Sequence, residues 1–247
     1  MCNREKYQFE IDLPKHLLLK KTEHFNIYYY PASVAEKEID AIAAQREKAY
    51  SDIAVYLNTS INICVDLYLF NDGETKEKET KHKGAGWAFD TVMVEIYNEA
   101  VKCHPYHELV HIFADFIYGA TISFLSEGLA VFVSESAYDC EIDGYVNYST
   151  HEKVKQLNQN DELFRVKELF SFQIGESASR PKVSYPQAAS LVKYLFGRLG
   201  NDGFFELYRN LNDGYSDEEI AININEFEKI CGISAGQVNE EWLNTIT

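Results

Sequence analysis

The sequence predicts an α+β fold, with strands gathered in the first half of the chain and helices filling the second. Two observations predict it. Short β-branched and aromatic runs, Phe25–Tyr30, Ile63–Phe70 and Thr91–Tyr97, all lie ahead of the midpoint. From about His151 onward the chain reads as helical segments near 151–158, 162–170, 184–199, 203–211, 217–230 and 235–245. Gly200, Asp213-Gly214 and Gly232 punctuate those segments, and no internal repeat or low-complexity linker interrupts the chain. A strand-rich half followed by a helical half is an α+β arrangement, to be expected of one domain over residues 1–247 or of one domain with two lobes dividing near residue 119.

The first 24 residues carry no clear pattern. Phe25-Asn-Ile-Tyr-Tyr-Tyr30 is a strand that Pro31 ends. Ser33 with Glu36 three residues on is a capping box, and the helix it opens runs to about Leu57 with Ile39, Ile42, Ala49, Ile53 and Leu57 along one face. A second strand follows at Ile63–Phe70, and Asn71-Asp72-Gly73 turns into a charged stretch, a solvated short helix or loop. Ala85–Asp90 and Thr91–Tyr97 read as paired or consecutive strands, the latter with Val92, Val94 and Ile96 on one buried face. Pro105 suits the first turn of a helix that Gly119 ends, apolar nearly all round through Leu109, Val110, Ile112, Phe113, Phe116 and Ile117. Another helix spans about Ile122 to Glu135.

A chain of 247 residues with 46% hydrophobic content buries a core without a disulfide or metal staple, so a bound metal is expected for chemistry. The net charge of −16 is spread along the chain, which argues against nucleic acid or an anionic membrane as partner. It reads first as a solubilising surface and second as an attraction for cationic peptides. The five cysteines, Cys2, Cys64, Cys103, Cys140 and Cys231, are scattered and include no C-x-x-C pair. With no signal peptide and no apolar run long enough to span a bilayer, a cytoplasmic location is expected. A leader already removed would make Cys2 a lipid-bearing N-terminus.

The chemistry centres on His107-Glu108-Leu109-Val110-His111, a match to H-E-x-x-H within the apolar helix. Residues four apart share a helical face, so both imidazoles can bind one metal ion. Two neutral imidazoles among apolar faces, with a carboxylate beside them, are costly unless something satisfies them. A catalytic zinc needs a third protein ligand and one open position. Glu127, in Phe124-Leu-Ser-Glu127-Gly-Leu-Ala130, is the best-surrounded donor. Gly128 costs roughly 1 kcal/mol against Ala within a helix. With Ala130 it suggests close packing against the H-E-x-x-H helix, bringing Glu127 to the metal. Glu135 and Asp115 are fallback ligands. One Zn²⁺ held this way polarises a carbonyl and acidifies water, with Glu108 as the general base that carries the proton to a leaving amine.

These residues resemble the gluzincin superfamily, in particular its peptidase MA-like members. His107-Glu-Leu-Val-His111 followed by Phe-Leu-Ser-Glu127-Gly-Leu-Ala carries the resemblance most strongly, between His104 and Val133. Tyr185-Pro-Gln-Ala-Ala-Ser-Leu-Val is similar to the helix that follows the zinc site in that group, and Glu-Lys-Ile-Cys-Gly-Ile-Ser leading to Trp242 to its usual ending. The resemblance implies a zincin-like catalytic domain with a mixed sheet and helices in an N-terminal lobe, an all-helical C-terminal lobe and a cleft between them. It also implies zinc and hydrolysis of peptide bonds in a peptide or protein substrate. In such enzymes a tyrosine beyond the third ligand commonly stabilises the oxyanion, a role that falls by local pattern on Tyr185, with His151 the alternative donor.

The chain also departs from that pattern. Fifteen residues separate His111 from Glu127, several fewer than in thermolysin-like enzymes. Val131 stands where those enzymes carry an aspartate that orients a ligand histidine, which leaves that task to another group, with Asp115 the candidate. The Gly84-Ala-Gly86-Trp-Ala88 run lacks the glutamate with which related aminopeptidases grip a substrate's amino terminus, so endopeptidase action is favoured. An edge strand there could still pair with extended peptide. Two rival readings share these residues: a zinc-binding but catalytically inactive protein that captures peptides or partners, and a metal-free interaction module in which H-E-x-x-H is coincidental.

Overall fold

The computed structural model describes residues 16–102, 104–134, 150–175 and 177–246. Its architecture is mixed α/β, with a five-stranded mixed sheet and, among the described residues, eight α-helices. The chain divides into two compact units, Met1–Phe116 and Ile117–Thr247.

The first unit is built on the sheet β1 (Leu18–Lys21), β2 (Phe25–Tyr29), β3 (Val65–Phe70), β5 (Val92–Ile96) and β4 (Gly86–Phe89), in that spatial order. β2, β3 and β5 run parallel, and β1 and β4 are antiparallel edge strands. Helix α1 (Val34–Tyr56) crosses between β2 and β3, its Ser33 cap accepting from the Glu36 amide while Glu36 accepts from the Ala32 amide. Period-2 alternation explains the sheet's two faces. Phe25 and Ile27 of β2 and Val65 and Leu67 of β3 are fully buried on the face that also carries Glu95 of β5, which pairs with Arg46 of α1. On the opposite face Tyr28 stacks on Tyr68 at 4.5 Å, and Tyr68, Phe70 and Val94 form a cluster joined by Trp87 and Val92.

Two expectations change here. Strand β5 buries both faces, because Met93 and Glu95 are as inaccessible as Val94. The charged stretch after Asn71 does form a short helix, α2 (Gly73–Thr80), capped by Asp72, but its Lys76 is fully buried rather than solvated.

Helix α3 (His107–Tyr118) follows and ends at Gly119, whose φ of 86° suits a residue without a Cβ. Leu109, Val110, Ile112 and Phe113 are buried, whereas Phe116 is 60% exposed, so the helix is apolar all round in sequence only.

The second unit is helical: α4 (Ser123–Phe132), α5 (Thr150–Gln159), α6 (Pro181–Asn210), α7 (Asp217–Cys231) and α8 (Ala235–Ile246). The stretch expected as a helix at 162–170 is instead extended into a short 3-10 turn at Val166–Phe170. Two expected helices, 184–199 and 203–211, are the arms of α6, bent at Gly200 where φ 70° and ψ 177° leave the helical region. Phe124, Phe170 and Phe227 form an edge-to-face aromatic cluster at the core of this unit. Three buried polar side chains find partners across the unit. The Gln187 amide brackets both backbone groups of Phe164, Asn223 does the same for Asn212, and the Trp242 indole donates to Ser190 Oγ at 3.1 Å.

Candidate metal centre

The start of α3 is fastened before the motif begins. The Tyr106 hydroxyl donates to Asp52 Oδ2 of α1 at 2.6 Å, and the Val110 amide donates to the Tyr106 carbonyl at 2.8 Å. His104 stacks on Tyr106, and burial, followed by the charges of Arg46 and His107, pushes its pKa down to about 4. Its ring is therefore neutral near pH 7.

His107 and His111 project from α3 one turn apart, with ring centroids 5.0 Å apart and planes nearly perpendicular. Both are half-buried, less enclosed than the apolar surroundings in sequence suggested. Apolar contacts set the rotation of α3: Phe113 packs edge-on to Tyr50 of α1 at 4.8 Å, which turns the buried stripe toward the sheet. Glu108 is directed to the edge strand β4. Its Oε1 lies 2.5 Å from the point where a Cβ on Gly86 would stand. The sequence signal for this approach is the pair Gly84 and Gly86, since glycines so close beside a strand mark a place where another group comes near.

Glu127 lies in the middle of α4 and is half-buried. The close approach that Gly128 permits is made to α6: an added Cβ would lie 2.7 Å from both the Ala188 carbonyl oxygen and Val192 Cγ2. The expectation that this glycine seats α4 against the H-E-x-x-H helix is corrected accordingly. Tyr185 sits half-buried in the second turn of α6, its hydroxyl 3.4 Å from the Cβ position of Gly175. Asp115, one turn beyond His111, is exposed. Glu135 and the side chain of His151 lie outside the described residues.

Among the described residues, His107, His111 and Glu127 form a group able to hold a metal ion, their ligand atoms all within 4.8 Å of one another. The donor chemistry fits zinc: two imidazole nitrogens and one carboxylate oxygen are a catalytic-type set, which leaves a fourth position open. Among the described residues, the cysteines Cys64 and Cys231 are free thiols, one exposed and one buried. No helix among the described residues is long and apolar enough to cross a membrane.

The sequence matches no protein-family model and no curated protein. Its fold is similar to solved structures of an M1 zinc metallopeptidase from Deinococcus radiodurans, with a TM-score of 0.50, 12% identity and coverage of 95% of this chain and 51% of that one. A mutant of that metallopeptidase bound to a Tyr-Ser-Ala substrate gives a TM-score of 0.52 at 10% identity, covering 92% of this chain and 51% of the other. Native LTA4 hydrolase of yeast gives 0.49 at 13% identity, covering 90% and 38%. This chain thus spans about half the length of the metallopeptidases it matches. At these identities the likeness is one of fold.

Proposed function

We propose that this protein is a zinc-dependent peptidase, acting as an endopeptidase, with His107, His111 and Glu127 as the ligands of one Zn²⁺. The observation that carries the reading is the donor set itself, two imidazoles one helical turn apart and a carboxylate with ligand atoms within 4.8 Å. The likeness in fold to M1 zinc metallopeptidases supports it.

Zinc bound there supplies Lewis acidity, polarising a scissile carbonyl and making water a better nucleophile at neutral pH. The chain's own residues then have distinct tasks. Glu108 accepts the proton of the attacking water at a carboxylate oxygen and returns it to the leaving amine. Tyr185 donates its hydroxyl hydrogen to the developing oxyanion. Leu109, Val110, Ile112 and Phe113 anchor α3, so the two imidazoles and Glu108 keep their relative orientation. The substrate is an extended peptide or protein segment.

Elemental analysis of the purified protein, followed by cleavage-site profiling on a mixed peptide library, tests the reading. Zinc is expected at one ion per chain, lost in His107→Ala and retained in Glu108→Gln, with turnover in Glu108→Gln reduced at least about a hundredfold. Stoichiometric zinc without any cleavage would identify an inactive zinc-binding protein instead. Absence of zinc would remove both readings.

A further inference from the structure

Gly86 is not glycine for its backbone. Among the described residues, the glycines with a positive φ are Gly119, Gly175, Gly200 and Gly232, so the conformation at Gly86 is open to any residue. What a side chain would meet there is Glu108: Oε1 at 2.5 Å, Cδ at 3.1 Å and Cγ at 3.2 Å are the three nearest atoms. Strand β4 therefore lies against the group assigned as proton acceptor, and a hydrogen atom in place of a methyl makes the room.

The same stretch is held from below. Lys76 of α2 is fully buried, and its Nζ donates to the Gly84 carbonyl at 2.8 Å and the His82 carbonyl at 3.4 Å, with His82 Nδ1 at 3.3 Å. The His82 amide donates to Thr80 Oγ1 at 3.2 Å, and the Ala85 carbonyl accepts from the Ile96 amide of β5 at 2.8 Å. A buried lysine is costly to desolvate unless its hydrogen bonds are kept, so this staple opens only at a price in stability.

We propose that Gly86 is a positioning residue for Glu108, its bare Cα leaving the space in which the carboxylate stands while the Lys76 staple fixes the residues that lead into β4. The inference rests on the reading of Glu108 given above. Because the atoms displaced by a methyl at Gly86 are the free end of a flexible side chain, the fold absorbs the change and the carboxylate moves. The cost falls on turnover and not on stability.

The test compares wild type with Gly86→Ala in the zinc-loaded protein, using the best-cleaved library peptide. We expect kcat to fall at least about tenfold with KM within about twofold, while the zinc dissociation constant and the thermal midpoint stay at wild-type values. The loss is expected to shrink when Gly86→Ala is made in a Glu108→Asp background, whose shorter side chain relieves the contact. Lys76→Met, which puts no atom beside Glu108, is the second variant; it is expected to lower kcat and leave zinc affinity unchanged. Wild-type kcat in Gly86→Ala, or an equal fractional loss in both Glu108 backgrounds, overturns the proposal while the peptidase reading stands. A wild-type protein that cleaves nothing overturns both.

Discussion

Arg46 and Glu95 meet inside the first unit, 2% and 0% exposed, with Nη1 and Nη2 of the guanidinium each donating to one carboxylate oxygen at 3.0 and 2.5 Å. The bidentate geometry is the form in which a buried ion pair recovers most of its desolvation cost. Removing one partner leaves a buried charge without that compensation. Arg46→Met is therefore expected to destabilise the protein by about 3–5 kcal/mol. Urea unfolding monitored by circular dichroism measures it, and a loss below about 1 kcal/mol would show that water reaches Glu95 after the change. Nothing in the sequence announces this pair. A glutamate between Val94 and Ile96 reads as the polar half of an alternating strand, and an arginine in α1 reads as its solvated side. Two charges 49 positions apart become partners only when α1 lies across β5.

Helix α4 poses a conflict between local propensity and packing. By propensity, Gly128→Ala should stabilise a helix by roughly 1 kcal/mol. Packing reverses the sign, because the new Cβ would stand 2.7 Å from the Ala188 carbonyl oxygen and from Val192 Cγ2. The carbonyl belongs to the backbone of α6 and cannot rotate aside, so the two helices must separate. The expected outcome is a net destabilisation of about 1–3 kcal/mol, read as a lower denaturation midpoint at unchanged m-value. A stabilised variant would mean that α4 and α6 lie farther apart than described. The glycine's meaning was half visible in sequence: a close approach was required, but the partner helix was not specified, since a missing side chain carries no direction.

For the whole molecule the dominant sequence property is charge, 23 basic against 39 acidic residues, which gives −16. Such a field draws cationic chains toward the protein and is screened beyond about 10 Å at 0.1 M salt. If the field steers substrates, kcat/KM for Lys- and Arg-rich peptides should fall by about three- to tenfold between low and high salt, and rise for acidic peptides. Equal salt responses for both peptide sets would identify the charge as a solubilising surface alone. Fold similarity to metallopeptidases twice as long leaves this charge as a property of the present chain.

What the sequence determined by itself was everything encoded over a few consecutive residues. The spacing of His107 and His111, the Ser33 and Glu36 cap, the strands at Phe25, Val65 and Val92, the α6 break at Gly200 and the boundaries of α7 and α8 all follow from backbone periodicity and local sterics. Only the tertiary structure decided which elements meet: the strand order β1-β2-β3-β5-β4, α6 against Gly128, Arg46 on Glu95, and Gly86 beneath Glu108. Those choices depend on contacts between distant parts of the chain, where burial of apolar area sets the arrangement and polar groups take the partners it leaves them.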